Sequence, residues 1–113
     1  MKRRSLLLGL LCALLTSASA WAGERPFDKA AFDKALAEGK PVIVDFYADW
    51  CPTCKAQKPH VLSILGEPRM KDVVLFVADY DKERDLKRSL RVTQQSTFVV
   101  FKGGKEVARS TGQ

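Results

Sequence analysis

Apolar residues recur along the chain in blocks whose spacing alternates between helical and extended. Asp28 can cap a first helix, which Gly39 ends. Residues 41–47 are a short β-branched run typical of a buried strand, and helical spacing follows from residue 51. The first half of the pattern therefore predicts a helix, a strand and a second helix.

The second half of the pattern continues this alternation and ends on a hairpin. Residues 73–78 are another apolar run, and residues 82–90 are a charged segment with the spacing of an amphipathic surface helix. Residues 98–101 and 106–109 flank a pair of glycines, which predicts two strands joined by a tight turn. The order α, β, α, β, α, β, β predicts an α/β fold with a central mixed β-sheet flanked by helices.

Residues 1–22 have the order of a secretory signal peptide. Basic residues at positions 2–4 precede the apolar residues 6–15, which are too few to span a bilayer, and small polar residues follow. We expect cleavage after Ala22, with Ala20 as the other position that fits. The alternative interpretation of this segment is a buried N-terminal helix.

Cleavage would leave one domain, residues 23–113, in the periplasm or another exported location. The full chain has a formal net charge of +6, and the leader accounts for three of its positive charges. The mild basicity that remains does not argue for a nucleic-acid partner. We expect a monomer with no stable membrane insertion after the leader is removed.

Cysteine usage points to redox chemistry. Cys12 would leave with the leader, so that Cys51 and Cys54 remain, separated by two residues. A disulfide that closes so short a loop restricts the unfolded chain little and therefore stabilises poorly. In an exported protein the pair is better explained as a reactive dithiol.

The CPTC sequence lies where a predicted strand passes into a predicted helix, which places Cys51 at the N-cap and Pro52 at the first helical position. A thiolate on Cys51 would face free backbone N–H groups and the positive end of the helix dipole. Both effects favour the charged form, so we expect Cys51 to be the accessible nucleophile. Cys54, one turn further on, would be shielded and would attack a mixed disulfide formed at Cys51.

The sequence around this pair resembles the thioredoxin superfamily. Residues 44–55 read VDFYADWCPTCK and Pro59 follows, while FKGG at 101–104 and Gly112 resemble the terminal hairpin of the family. The resemblance covers nearly all of the predicted domain. It implies a thioredoxin-like fold and thiol–disulfide exchange with protein thiols and disulfides, without a cofactor.

The resemblance also implies roles for individual residues. Cys51 would be the attacking cysteine, Cys54 the resolving one, Asp45 the buried acid beneath them, and Trp50 the aromatic residue that flanks the site. Asp45 has an independent physical interpretation, because burial raises the pKa of a carboxyl group and lets it exchange a proton with Cys54 through a water. The alternative is an aspartate that only forms local hydrogen bonds at the end of a strand.

The sequence departs from the family in the loop before the penultimate strand. Many thioredoxins have a cis-proline there, whereas this chain has Ser96 followed by Thr97. A cis bond before a residue other than proline costs about 2.5–4 kcal/mol, so we expect a trans peptide. We expect Ser96 and Thr97 to contribute to substrate binding, Ser96 through its hydroxyl or its N–H. A proline at position 96 is then expected to alter substrate choice and redox potential more than stability.

Two further departures concern neighbours of the site. Val77 stands where many thioredoxins have a lysine near the buried acid, so we expect Asp45 to lack that partner. The family fold ends with a helix after the hairpin, whereas this sequence stops at Gln113. We therefore expect the C-terminal helix to be absent and one face of the sheet to be uncovered, and two explanations stay open: the sequence is a fragment, or something else covers that face.

Three functions remain open at this point. The protein could be a reductase fed by a membrane-embedded electron donor, an oxidase or isomerase that donates its own disulfide, or a binding module whose cysteines hold a metal between two chains or regulate a partner. The dipeptide Pro52-Thr53 matches neither the Gly-Pro of reducing thioredoxins nor the Pro-His of strong oxidants, but the surrounding strand and helix favour the reductase. Two cysteines are too few ligands for zinc within one chain, and His60 points away from them, so no metal site is expected.

Overall fold

A computed structural model of the protein describes residues 23–112. The predicted leader and Gln113 lie outside this range. The helices and strands follow in the order β1 Gly23–Pro26, α1 Lys29–Ala37, β2 Val42–Tyr47, α2 Pro52–Leu65, a short 3₁₀ helix Pro68–Met70, β3 Val74–Asp79, α3 Arg84–Leu90, β4 Thr97–Lys102 and β5 Lys105–Thr111. None of the helices in the described range is long and apolar enough to cross a membrane.

The five strands form one mixed sheet in the order β1-β3-β2-β4-β5. Strands β1 and β2 both run parallel to β3, while β4 is antiparallel to β2 and β5 is antiparallel to β4. This arrangement confirms the predicted α/β fold with helices flanking a mixed sheet. The edge strand β1 was not predicted, because its four residues, GERP, have neither an apolar run nor alternation.

The main core lies on one face of the sheet, beneath α1 and α3. Phe32 of α1 meets Phe76 and Phe101 edge-on, with ring centroids 5.9 and 5.5 Å apart. Val44 and Phe46 of β2 are fully buried in this core. Because side chains alternate along a strand, the residue between them, Asp45, points to the opposite face, where α2 packs.

The opposite face is only partly covered. A cavity of about 450 Å³ lies between α2 and the sheet, and its lining includes Ile43, Leu75, Phe98 and Val100. No helix follows β5 within the described residues. Within residues 23–112, this face of the sheet is packed by α2 and is partly open beside it.

Candidate active site

The two cysteines lie at the start of α2, directly after the loop that leaves β2. Cys51 is the N-cap residue, Pro52 is in the first turn, and the Cys51 sulfur accepts a hydrogen bond from the backbone N–H of Cys54 at 3.1 Å. The predicted cap is confirmed. The cap points a helical N–H that has no carbonyl partner in the helix at the Cys51 sulfur. This arrangement stabilises negative charge on the sulfur.

Both thiols are free in this structure, in which Cys54 is shielded as expected but the expectation that Cys51 is accessible is wrong. Their side chains are nearly equally buried, with exposed fractions of 1% and 2%. They form a small cluster with Ala48, against which Tyr47 and Tyr80 pack. Exposure therefore does not distinguish the roles of the two sulfurs.

Protonation does distinguish the two sulfurs. Burial raises the pKa of the Cys54 thiol, and its hydrogen bond with Cys51 and the nearby negative charge of Asp45 raise it further. The Cys54 thiol also donates a hydrogen bond to the carbonyl oxygen of Phe46, which lies 3.9 Å from the sulfur. Cys54 therefore holds its proton more tightly than an ordinary thiol, while the Cys54 N–H that points at the Cys51 sulfur favours negative charge on that sulfur.

Asp45 lies in β2 beneath the cysteines, with only 4% of its surface exposed. Burial raises the pKa of its carboxyl group to about 6, as the sequence predicted, while Lys58 lowers it and Glu24 raises it. As expected, no lysine stands at the neighbouring strand position, but a lysine that was not predicted acts on Asp45 from another element. The lysine comes from α2 rather than from the strand position that Val77 occupies.

Trp50 flanks the pair and is 57% exposed, as expected for an aromatic residue beside the site. Its ring meets Tyr80 edge-on at 6.5 Å, and its indole N–H donates to Asp81 Oδ2 at 2.7 Å. These two contacts fix the orientation of an exposed ring. Tyr80 and Asp81 were not predicted as neighbours of the site. Their position directly after β3 could have indicated it, because the ends of β2 and β3 lie at the same edge of the sheet.

Ser96 lies beside the site, but its polar groups are occupied. Its N–H donates to the Phe46 carbonyl at 2.8 Å, the same oxygen that the Cys54 sulfur approaches, and its hydroxyl donates to Gln57 Oε1 at 2.8 Å. Its carbonyl accepts from Gly112 N at 3.0 Å. The expectation that the hydroxyl or N–H faces a substrate is therefore not met in this structure, because both are donors to the protein itself.

The backbone around Ser96 is unusual in a second way. The peptide is trans as predicted, since the described residues contain no cis bond, but Ser96 has φ 62°, in the left-handed region. Thr97 next to it is buried, and its hydroxyl bonds to the Gln94 carbonyl at 2.8 Å and to the Thr111 hydroxyl at 3.0 Å. Both residues therefore shape the loop beside the cysteines.

His60 lies away from the cysteines, in the lining of the apolar cavity. Within residues 23–112, no three His, Cys, Asp or Glu side chains are grouped as a metal would require.

Comparison with known proteins identifies the family. The model of the family described as Thioredoxin matches residues 24–113. The chain belongs to the thioredoxin family. It is 37% identical to Thioredoxin-2 of Saccharomyces cerevisiae over 82 residues, which are 72% of this chain and 77% of that protein.

Solved structures agree with this assignment. Trxlp from Edwardsiella tarda EIB202 has a TM-score of 0.78 and 40% identity, covering 81% of this chain and 88% of that one. Thioredoxin of Fasciola hepatica has a TM-score of 0.64 and 30% identity, covering 80% and 83%. The family member described here is a thiol–disulfide oxidoreductase that acts on protein disulfides, and Cys51 and Cys54 are its redox-active pair.

Proposed function

We propose that this protein is an exported reductase, which receives electrons from a membrane-embedded donor and passes them to the disulfides of exported proteins. The observation that carries the proposal is the combination of a signal-peptide pattern at residues 1–22 with a thioredoxin site in the domain that follows. Outside the cytosol a dithiol can act repeatedly only if a donor restores it. The membrane is the nearest route to cytosolic electrons.

The first step is the attack of the Cys51 thiolate on one sulfur of a substrate disulfide. A Cys51–substrate bond forms, the substrate disulfide breaks, and the other substrate sulfur leaves as a thiolate. The N–H of Cys54 and the helix N-terminus stabilise the thiolate before the attack. Trp50 and the loop that contains Ser96 and Thr97 border the site, and we assign them to the surface that the substrate meets.

The second step is the attack of Cys54 on the Cys51 sulfur. Cys54 gives its proton to the carboxylate of Asp45, forms the Cys51–Cys54 disulfide and displaces the second substrate thiolate. The two released thiolates take up one proton from Asp45 and one from water. Two electrons have then moved from the dithiol to the substrate, and the donor returns two electrons by the same exchange in reverse.

Export is tested on the full chain, expressed with its own N-terminus in a Gram-negative host and recovered by osmotic shock. We expect the protein in the periplasmic fraction with Gly23 as its first residue. The matched control lacks residues 2–22 and should remain in the cytosol. An uncleaved full chain in the cytosol would contradict the proposal that the protein is exported.

The electron donor is tested with Cys54→Ala, which cannot resolve a mixed disulfide. Because both donor and substrates react at Cys51, we expect this variant to accumulate disulfide adducts that include an integral membrane protein. The matched control, Cys51→Ala, should accumulate few. If every adduct of Cys54→Ala were with soluble proteins, the membrane-fed route would be wrong.

A further inference from the structure

Lys58 of α2 and Glu24 of β1 form an ion pair whose charges act on the buried Asp45 of β2. Lys58 Nζ of α2 lies 3.2 Å from Glu24 Oε1 of β1 and 4.9 Å from the centre of the Tyr47 ring of β2. Tyr47 lies two residues after Asp45, so both side chains point to the same face of the sheet. The lysine is thus placed between an edge-strand glutamate and the strand that holds the buried acid.

The fold holds this lysine on the side of the cysteines. Lys58 follows Cys54 by four residues, so the two side chains share one face of α2. Glu24 pairs in register with Leu75, which pairs with Ile43, a residue of the face beneath α2. The pairing of β1 with β3 therefore delivers the glutamate to the same face.

This ion pair is the least exposed of the ion pairs in the described residues. The side chains of Lys58 and Glu24 are 32% and 25% exposed, compared with 80% and 55% for Lys29 and Asp33. The second oxygen of Glu24 is buried and has no hydrogen-bond partner among the described residues. Water therefore screens the pair only partly, and its charges act on neighbouring groups more strongly than those of an exposed pair.

We propose that Lys58, anchored by Glu24, is a positioning residue for the resolving step, which keeps the carboxylate of Asp45 ionised so that it can accept the proton of Cys54. The proton moves from the Cys54 thiol to Asp45, the Cys54 thiolate attacks the Cys51 sulfur, and the substrate leaves as a thiolate. Lys58 forms no bond to the reacting atoms. The inference rests on the proposed role of Asp45 as proton acceptor.

The charges around Asp45 support this role. Burial favours the neutral acid, Lys58 opposes burial and lowers the pKa of Asp45, and Glu24 raises it. The neighbours of Asp45 in the sheet, Val77 and Phe98, carry no charge. From α2, Cys54 also interacts electrostatically with Asp45. The two partners of the ion pair should thus act on Asp45 in opposite directions.

The test measures two quantities on the mature protein purified from cells that express the full chain. The carboxyl titration of Asp45 is followed by ¹³C NMR in the reduced state. The pH profile of mixed-disulfide resolution is followed by stopped flow. We compare Lys58→Met, Lys58→Arg and Glu24→Gln with Lys29→Met, which removes a lysine from an exposed ion pair far from the site.

We expect Lys58→Met to raise the titration midpoint of Asp45 by roughly 0.5–1 pH unit. The pH at which the resolution rate rises should increase by the same amount. Glu24→Gln should move both downward because it removes a negative charge near Asp45, and Lys58→Arg should keep the wild-type midpoints because it keeps the positive charge. Lys29→Met should change neither. A merely structural role would lower the rate without moving the midpoints. Midpoints that stay in place in both Lys58→Met and Glu24→Gln would overturn the inference.

Asp45→Asn separates this inference from the proposed role of Asp45. Loss of the pH-dependent rise in Asp45→Asn, with no shift in Lys58→Met, would overturn the role of Lys58 and leave that of Asp45. An unchanged profile in Asp45→Asn would overturn the role of Asp45 itself, and that of Lys58 with it. In either case, we still expect the cysteine pair to exchange with protein disulfides, so these outcomes concern the proton acceptor and not the exchange itself.

Discussion

At the scale of single residues, the chemistry of the site depends on where protons are held rather than on which groups are exposed. Cys51 and Cys54 are buried alike, yet burial and a hydrogen bond to Cys51 raise the pKa of Cys54. Asp45 is the one charged residue among the buried side chains of the described range, and its pKa is raised to about 6. These shifts favour the protonated form of Cys54 and place a proton acceptor beneath it.

The assignment of the two thiols predicts the order of alkylation. With iodoacetamide near pH 6.5, Cys51 should be labelled first, because only the thiolate reacts and burial keeps the proton on Cys54. Peptide mapping of the partly alkylated protein gives the order. Cys51→Ser is the control and should react more slowly than the wild type. Faster labelling of Cys54 than of Cys51 would reverse the roles.

The raised pKa of Asp45 predicts how stability depends on pH. A carboxyl whose pKa rises from 3.8 to about 6 on folding favours the folded state below pH 3.8, and this contribution is lost as the pH rises through 6. The loss amounts to about 3 kcal/mol, since one pKa unit corresponds to about 1.4 kcal/mol. Asp45→Asn should therefore gain stability relative to the wild type by about 3 kcal/mol between pH 4 and pH 8 in urea unfolding. Parallel pH profiles of the two proteins would contradict a buried, titrating Asp45.

Replacement of Ser96 by proline should destabilise the protein, contrary to the expectation from sequence. Proline cannot adopt φ 62° and would remove the N–H that donates to Phe46. We expect a loss of about 3 kcal/mol in urea unfolding. Ser96→Gly keeps the N–H and tolerates the backbone angle, so it should cost much less. Equal stability of the two variants would show that the loop can rearrange around proline.

At the scale of elements, the sequence predicted what depends on apolar pattern and caps. The strand β2, the helix α2 and the hairpin of β4 and β5 were predicted because runs of apolar residues, an N-cap with Pro52, and paired glycines are local signals. The strand β1 was missed because it is held mainly by backbone pairing to β3. Without β1, the approach of Glu24 to Lys58 could not be predicted either.

The loop before β4 shows the same limit on prediction. The trans peptide at Ser96 followed from the residue type, but the bonds that occupy its N–H and hydroxyl come from Phe46 and Gln57, which are distant in sequence. Only the fold brings these groups together. The position of this loop was thus predictable, and its hydrogen bonds were not.

At the scale of the whole molecule, the two faces of the sheet have different roles. The face beneath α1 and α3 contains the aromatic core that fixes β2 in place. The other face holds Asp45 beneath α2 and leaves an apolar cavity of about 450 Å³ beside it. The reactive pair thus lies just after a strand that the aromatic core holds in place, at the edge of the less densely packed face.

The central claim, that the Cys51–Cys54 pair works as a reductant, is tested most directly by its redox potential. The mature protein is equilibrated with glutathione buffers, and the dithiol fraction is counted by mass after thiol trapping. We predict a potential near thioredoxin's value of about −270 mV. A potential near −120 mV, as in a strong oxidant, would contradict the account.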